Sequence, residues 1–449
     1  MMNCWVIFLV NFVSENKLLK MFCNQLSMQI IKKPKVKIYN FTFLLIFSIT
    51  VYGQKAKNIL FENSVNFPTV SGPIQLTYEP YEHFFASYYG INSFSADERY
   101  ATVLRTEIKD HLPDENESAT LGLVDLKTKS FIPLVKTSAW NFQQGCMAHW
   151  LSTNPDSLII YNDLRQGKFV SIILNVHTKE EKKVIPFPIS AVSPSGKEAV
   201  SINFSRLRET RDSYGYGGGG QNSKIDQAYP KDDGIFLVDL ESGKAKLIVS
   251  LLEIKKHVPK IAENRIQYFN HTLFSRKGSK IFWLSRAKPI GKNTTAFTVN
   301  RNGTNLNPCF PQGWGGSHFD WLNDKEIMVT AKYKKQMYGH ILFDATKKDY
   351  RRLGKGLLDY DGHGTFSPDG KWMVTDTYPK NELMEQKIFL MDMESEAVIS
   401  LGRFQNNKIY EKDWRCDIHC RWSPSGNLIG FNSTHNGTRQ IYVFKLNNE

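Results

Sequence analysis

Four histidines occupy one recurring position. His271 stands three residues before Phe274, His318 before Trp321, His363 before Phe366 and His419 before Trp422. Imidazole ligates transition metals and moves protons near neutral pH. Four imidazoles brought to one volume would make a site for a divalent metal. Cys416 offers a thiolate beside His419, and Asp361 and Asp417 offer carboxylates that could ligate or orient the rings. Zinc suits a set that includes Cys416, whereas manganese would leave the thiol outside. Taken singly, each histidine is as easily structural, a ring closing a strand end through a hydrogen bond. Repetition at four positions favours the cluster. Cys416 and Cys420, which flank His419, could instead close a strained disulfide.

Those histidines can meet only if the elements carrying them are equivalent. Residues 417–446, DIHCRWSPSGNLIGFNSTHNGTRQIYVFKL, read as three strands, 419–422, 428–432 and 439–446, joined by Ser-Pro-Ser-Gly and His-Asn-Gly-Thr turns. The same layout recurs at 362–379, 270–286 and 317–331, and more faintly from Ala191, Met147 and Asn92. Each of the earlier units is followed by a strand–turn–strand pair such as LGLVDLKTKSFIPLV or IFLVDLESGKAKLIV. The last unit stops after its third strand. The expected fold is therefore all-β: a seven-bladed β-propeller over residues 54–449 with four-stranded antiparallel blades. A strand from residues 57–80, with 73–78 as the candidate, must close the last blade.

In such a ring the first strand of each blade lines the central channel, so equivalent positions point at one shared space. A second group belongs to the first three blades and should face the same mouth. It comprises His83, Tyr88 and Tyr89, then Trp140, Gln143, Gln144 and His149, then Asn162 and Arg165. Arg206, Arg208, Arg211, Tyr214 and Tyr216 come from a long insertion, residues 206–233. Arginine forks suit carboxylates and sulfates, and aromatic rings suit sugar faces. The insertion's GYGGGG run lacks the Lys-Ser/Thr of a phosphate loop and is read as a mobile loop.

Composition narrows the partners. The chain is 41% hydrophobic and 22% charged, which is ordinary for a globular protein, and 13% aromatic, which fits a carbohydrate surface or an all-β core equally. A formal charge of +13, part of it in the N-terminal segment, suits an acidic polymer but equally serves to keep the protein soluble. No Lys/Arg run interleaved with aromatics speaks for nucleic acid. Lysines at 32, 33, 35 and 37 precede the apolar run FTFLLIFSITV, so residues 1–53 read as an upstream extension and secretory signal. That run is too short to span a bilayer comfortably. The expected mature protein is exported, without stable membrane insertion, and retains Cys146, Cys309, Cys416 and Cys420.

The repeat resembles the TolB-type propeller. The pair DGHGTFSPDGKWMVTD and DIHCRWSPSGNLIGFNSTHNGTRQIYVF is similar, more narrowly, to the propeller polysaccharide lyases, namely the oligogalacturonate lyases and propeller-type ulvan lyases. The motif likeness covers residues 270–445. It implies metal-assisted β-elimination on a uronic-acid-containing, possibly sulfated, polysaccharide or oligosaccharide. His271, His363 and His419 then carry over as metal ligands, joined here by His318 and Cys416. No glutamine aligns with the family's glutamine ligand. The resemblance further implies His83 or His149 as base, Tyr214 as acid and Arg208 or Arg211 as carboxylate clamp. Trp140, Gln143, Gln144, Asn162, Arg165 and Arg206 would hold substrate. Two other classes compete: a non-catalytic binding propeller, which has no need of four aligned histidines, and a glycoside hydrolase, which needs paired carboxylates across the mouth.

Overall fold

The structure is a computed structural model, and it describes residues 66–447 apart from 219, 290–293, 312, 335, 346–348, 355 and 381. The segment read as a secretory signal lies outside the described residues. Among the described residues no helix is long and apolar enough to cross a membrane.

Seven four-stranded antiparallel sheets follow one another along the chain. Their first strands are Glu82–Phe85, His149–Trp150, Ala191–Val192, Ile266–Phe274, Ser317–Trp321, Thr365–Phe366 and Arg421–Trp422. Second and third strands are buried on both faces, as in Leu158–Arg165 and Lys168–Asn175, because each blade stacks on two neighbours. Fourth strands such as Phe131–Thr137 and Val398–Gln405 are only partly covered. The apolar core therefore lies between blades, with rings such as Phe282 of blade 4 packed on Phe319 of blade 5 at 4.6 Å.

The ring closes as expected, with a shifted boundary. Thr69–Gln75 pairs antiparallel with Gln440–Asn447, Thr69 opposite Asn447 and Ile74 opposite Val443. The ladder bulges between Ser71 and Ile74. Gly72 holds φ +117° there, and a Cβ would meet the Val443 carbonyl oxygen at 2.9 Å.

Two expectations are corrected. The first blade's inner strand is Glu82–Phe85; of the repeat-like stretch at Asn92, the leading part adds only the bridge Phe94↔Ala101, and the rest is the second strand, Tyr100–Thr106. Between them the chain leaves the ladder. The Ala86 carbonyl accepts the N–H groups of Cys146 and Ala148 in blade 2 at 3.1 and 3.0 Å, and Tyr88 and Tyr89 are carried into the channel. The insertion is also built rather than loose. Asn203 caps a helix, Phe204–Thr210, through Arg206 N–H, and a 3-10 turn follows at Asp212–Tyr214. Tyr216 stacks on Phe204 at 4.6 Å. Arg206 is buried and donates to the carbonyls of Gln267, Lys224, Gln227 and Ala228. It ties the insertion down and is no substrate ligand.

Candidate metal centre at the channel mouth

A repeated backbone irregularity brings the histidines together. His271, His318 and His419 hold φ of 57°, 41° and 53°, and Met147 holds 53° at the same offset before Trp150 in blade 2. A left-handed residue with a side chain costs of order 1–3 kcal/mol, so its recurrence marks a position the fold imposes. In blades 4 and 5 it coincides with ladder bulges between Asn270 and Leu273 and between Ser317 and Phe319. The bulge turns the side chain out of the strand and into the channel. His363 arrives between Gly362 and Gly364 with ordinary φ.

His318, His363 and His419 form a row, with ring centroids 4.0 and 4.4 Å apart. His271 stands apart from it, under Tyr88 at 4.8 Å and edge-on to Tyr214 at 4.9 Å, with Gln144 Nε2 3.4 Å from its Nδ1. Tyr89 packs on His363 and His419 at 5.0 and 5.4 Å, and its hydroxyl accepts Phe319 N–H at 2.6 Å. These two tyrosines fill the channel beneath the row.

Asp376 organises it. One carboxylate oxygen accepts from His363 Nδ1 and from His363 N–H, each at 2.8 Å, and the other accepts His419 N–H at 2.9 Å. Burial opposes charge on His363, but the charge and hydrogen bond of Asp376 outweigh it and raise the imidazole above its ordinary value. Burial, then the charges of His363 and Arg421, hold His419 well below that value. Burial and Arg286 do the same to His271. Asp361 lies 3.0 Å from His318 Nδ1, and Tyr378 Oη lies 2.8 Å from His318 Nε2 and 3.4 Å from His363 Nε2. Burial and Asp417 raise the Tyr378 hydroxyl well above its usual range.

The ligand atoms of His363, Asp417 and His419 lie within 4.8 Å of one another. Arg415 Nε donates to Asp417 Oδ1 at 2.9 Å. Asp417 Oδ2 and His419 Nε2, 3.9 Å apart, are buried and have no hydrogen-bond partner among the described residues. A carboxylate oxygen beside the nitrogen of a neutral imidazole is a place for a cation. Asp376 meanwhile takes the Nδ1 proton of His363 and leaves Nε2 to ligate, a common support for metal-bound histidine. These residues fit a divalent ion.

Cys416 does not belong to the group. Its Sγ lies 3.9 Å from the Asp417 carbonyl oxygen, and burial raises its thiol to about 11. Both Cys416 and Cys420 are free thiols. Of the early-blade residues, the structure brings Tyr89 to the row and Tyr88, Tyr214 and Gln144 to His271. Arg211 follows, its guanidinium 5.6 Å over the Tyr214 ring and 3.8 Å from Asp413. Arg208, on the insertion's helix, makes no ion pair or hydrogen bond with its side chain among the described residues. Gln143 is buried, its Oε1 unpartnered among the described residues.

The others are engaged elsewhere. His83 bonds Gln440 at 3.1 Å and packs on Phe131 of an outer strand. His149 Nδ1 bonds the Met147 carbonyl at 2.7 Å. Burial lowers both to about 4, and neither ring touches the row. Trp140 is a core side chain donating to the Glu117 carbonyl. Asn162 clamps Ile189 of the next blade through N–H and carbonyl alike. Arg165 pairs with Asp163 and Glu181.

Asp376, Tyr378, Arg286 and Arg415 went unnoticed in the sequence. The first had a signal. Registers place Val374 opposite Thr365 and Ile160 opposite His149, so Asp376 holds in blade 6 the place of Asn162 in blade 2.

No family model and no curated protein matches the sequence. Solved structures do. One is an oligogalacturonate lyase from Vibrio parahaemolyticus, at 13% identity and TM-score 0.60. Another is an oligogalacturonate lyase in complex with manganese, at 14% identity and TM-score 0.61. Each match covers 86% of this chain and 95% of the other. At such identity the likeness is one of fold, and the chain shares the seven-bladed architecture of those two lyases.

Proposed function

We propose that this protein is a lyase that cleaves a uronate-bearing oligosaccharide or polysaccharide by β-elimination, with a divalent ion held by His363, Asp417 and His419. The observation that carries this reading is the pair of buried, unpartnered acceptors, Asp417 Oδ2 and His419 Nε2, converging with His363 at the channel mouth. A ligand set of nitrogen and oxygen without thiolate suits manganese as well as zinc. Such an ion, when bound, neutralises a substrate carboxylate and so acidifies the proton α to it.

The chain's own groups do the rest. Asp376 orients both histidines, and Arg415 fixes Asp417 so that Oδ2 is turned to the ion. Asp361, His318 and Tyr378 form a hydrogen-bonded chain ending at the mouth. His318 Nε2 takes the proton α to the carboxylate, the Tyr378 hydroxyl gives its own proton to the departing glycosidic oxygen, and Tyr378 recovers one from His318, 2.8 Å away. Arg211, lightly paired, is placed to steer an anionic sugar. An exported location, carried by the segment before residue 54, would meet such a polymer.

One observation favours the binding-propeller reading. Tyr88 and Tyr89 leave a cavity of only about 10 Å³ beside His271, too small for a sugar ring. The hydrolase reading is weakened because Asp361, Asp376 and Asp417 are each engaged by a histidine or arginine. The test is to incubate metal-loaded and chelator-treated protein with uronate polymers and follow the ultraviolet absorbance of unsaturated product. A metal-dependent rise, lost in Asp417→Asn, is expected. New reducing ends without absorbance would mean hydrolysis, and binding with neither would mean a binding propeller.

A further inference from the structure

Arg421 lies two residues beyond His419 on the first strand of blade 7, toward the Ser-Pro-Ser-Gly turn and away from the histidine mouth. It is 1% exposed. Its Nη1 donates to the Ser87 carbonyl at 3.2 Å, the Ser87 hydroxyl at 3.2 Å and the Ser93 hydroxyl at 2.8 Å. The guanidinium carbon sits 4.1 Å from the centre of the Phe85 ring. Nε and Nη2 are buried and have no hydrogen-bond partner among the described residues, and no carboxylate there pairs with this cation.

Those two nitrogens form one edge of the guanidinium. Their N–H bonds run parallel, and that edge takes a carboxylate or another oxyanion bidentately. Burying a cation without a counter-charge is costly, and buried charges are ordinarily paired.

Arg421 also lines a cavity of about 150 Å³ together with Asn92, Arg276, Thr365 and Ser423. Arg276 adds a second, part-exposed cation to the wall. Asp320, the acidic group on that wall, has Oδ2 turned onto Phe366 N–H at 2.8 Å and Arg276 at 3.2 Å. The cavity mixes these polar groups with Ile91, Phe366 and Trp422, lies at the turn end of the first strands and is large enough for a few heavy atoms.

We propose that this cavity binds one small oxyanion, a carboxylate or an inorganic ion of sulfate size, on the free edge of Arg421. The site is separate from the metal centre and does not depend on the lyase reading. Its position gives it a consequence, because Ser87 and Ser93 bracket the segment that carries Tyr88 and Tyr89. An anion that fixes Arg421 also fixes both ends of the loop on which the histidine row rests.

The probes are sodium sulfate and sodium acetate, titrated into the intact protein at constant ionic strength set with chloride. Thermal melting and calorimetry are the readouts. A single saturable step is expected, with melting temperature rising as the site fills. Preference for one probe tells an inorganic oxyanion from a carboxylate. Arg421→Lys keeps the charge but loses the fork and should bind at least tenfold more weakly. Arg276→Gln should weaken binding too and decides the matter if Arg421→Lys fails to fold. Arg211→Gln, at the histidine mouth, should leave the step unchanged. The absence of a saturable step in the unaltered protein would overturn the proposal. So would equal binding by Arg421→Lys, or loss of the step in Arg211→Gln.

Discussion

Tyr88 lies nearly flat on His271, the ring centroids 4.8 Å apart and the planes 24° from parallel. Blade 1 thus reaches across the channel to blade 4, while the same tyrosine meets His419 of blade 7 edge-on at 5.3 Å. His271 shares the repeat position of the other three histidines, but the stacked ring shields it. His318 has both ring nitrogens engaged by Asp361 and Tyr378, which leaves His363 and His419, with Asp417, to hold an ion.

Metal binding should follow that division. His363→Ala and Asp417→Asn should each abolish stoichiometric binding of manganese or zinc, measured by calorimetry and elemental analysis. Asp376→Asn, which touches no ion, should weaken binding about 10–100-fold. Cys416→Ser and His271→Gln should retain the metal. Loss of metal in Cys416→Ser would put a thiolate in the site and contradict the geometry.

Tyr89→Phe isolates one hydrogen bond. The hydroxyl accepts Phe319 N–H at 2.6 Å in a buried setting, and its removal leaves that donor unsatisfied. A loss of about 1–3 kcal/mol in denaturant unfolding is expected, with metal affinity little changed.

Arg206→Ala should release the insertion. Four carbonyls lose a charged donor, and hydrogen bonds to charged groups are worth roughly 1.5–3 kcal/mol. Limited proteolysis should then cut within residues 206–233, and Tyr214 should leave His271. Unchanged protease resistance would show that the tyrosines and helix hold the segment unaided.

Acid should destabilise the ring through buried histidines outside the proposed ligand set. Burial lowers His149 and His340 to about 4 from an ordinary value near 6.5. Between those values the unfolded chain binds protons that the folded chain refuses, so stability rises with pH. It is complete above about 6.5 and is lost as pH falls toward 4, by about 3 kcal/mol for each group. His340 bonds Thr375 Oγ1 at 2.8 Å, and His340→Gln should flatten the slope of melting temperature against pH.

Blade count, ring closure and the shared direction of four side chains were legible because each rests on repetition. A period along the chain becomes a rotation in space. The ligand set was not legible to the same depth. Cys416 and Asp417 are neighbours, and only the local path of the chain turns the carboxylate inward and leaves the thiol against the Asp417 backbone. Asn162, Trp140 and Arg206 misled for a related reason. A polar group at a strand end can face the mouth or bridge to the next blade, and its identity is the same in both cases. Had second-strand ends been compared across all blades, Asp376 would have stood out as the one carboxylate where blade 2 has Asn162.

Blades 1 to 6 are each made from one continuous stretch, and the seventh is not. Pairing Thr69 with Asn447 closes a loop of nearly the whole described chain, and such long-range pairing is entropically costly and slow. Tyr88 and Tyr89 follow directly on one side of that seam, and His419 belongs to the other. The tyrosines can therefore reach the centre only when the ring has shut. An ion held by blades 6 and 7 against the blade 1 tyrosines would act as a latch, slowing the opening of the ring while leaving the rate of its formation almost untouched.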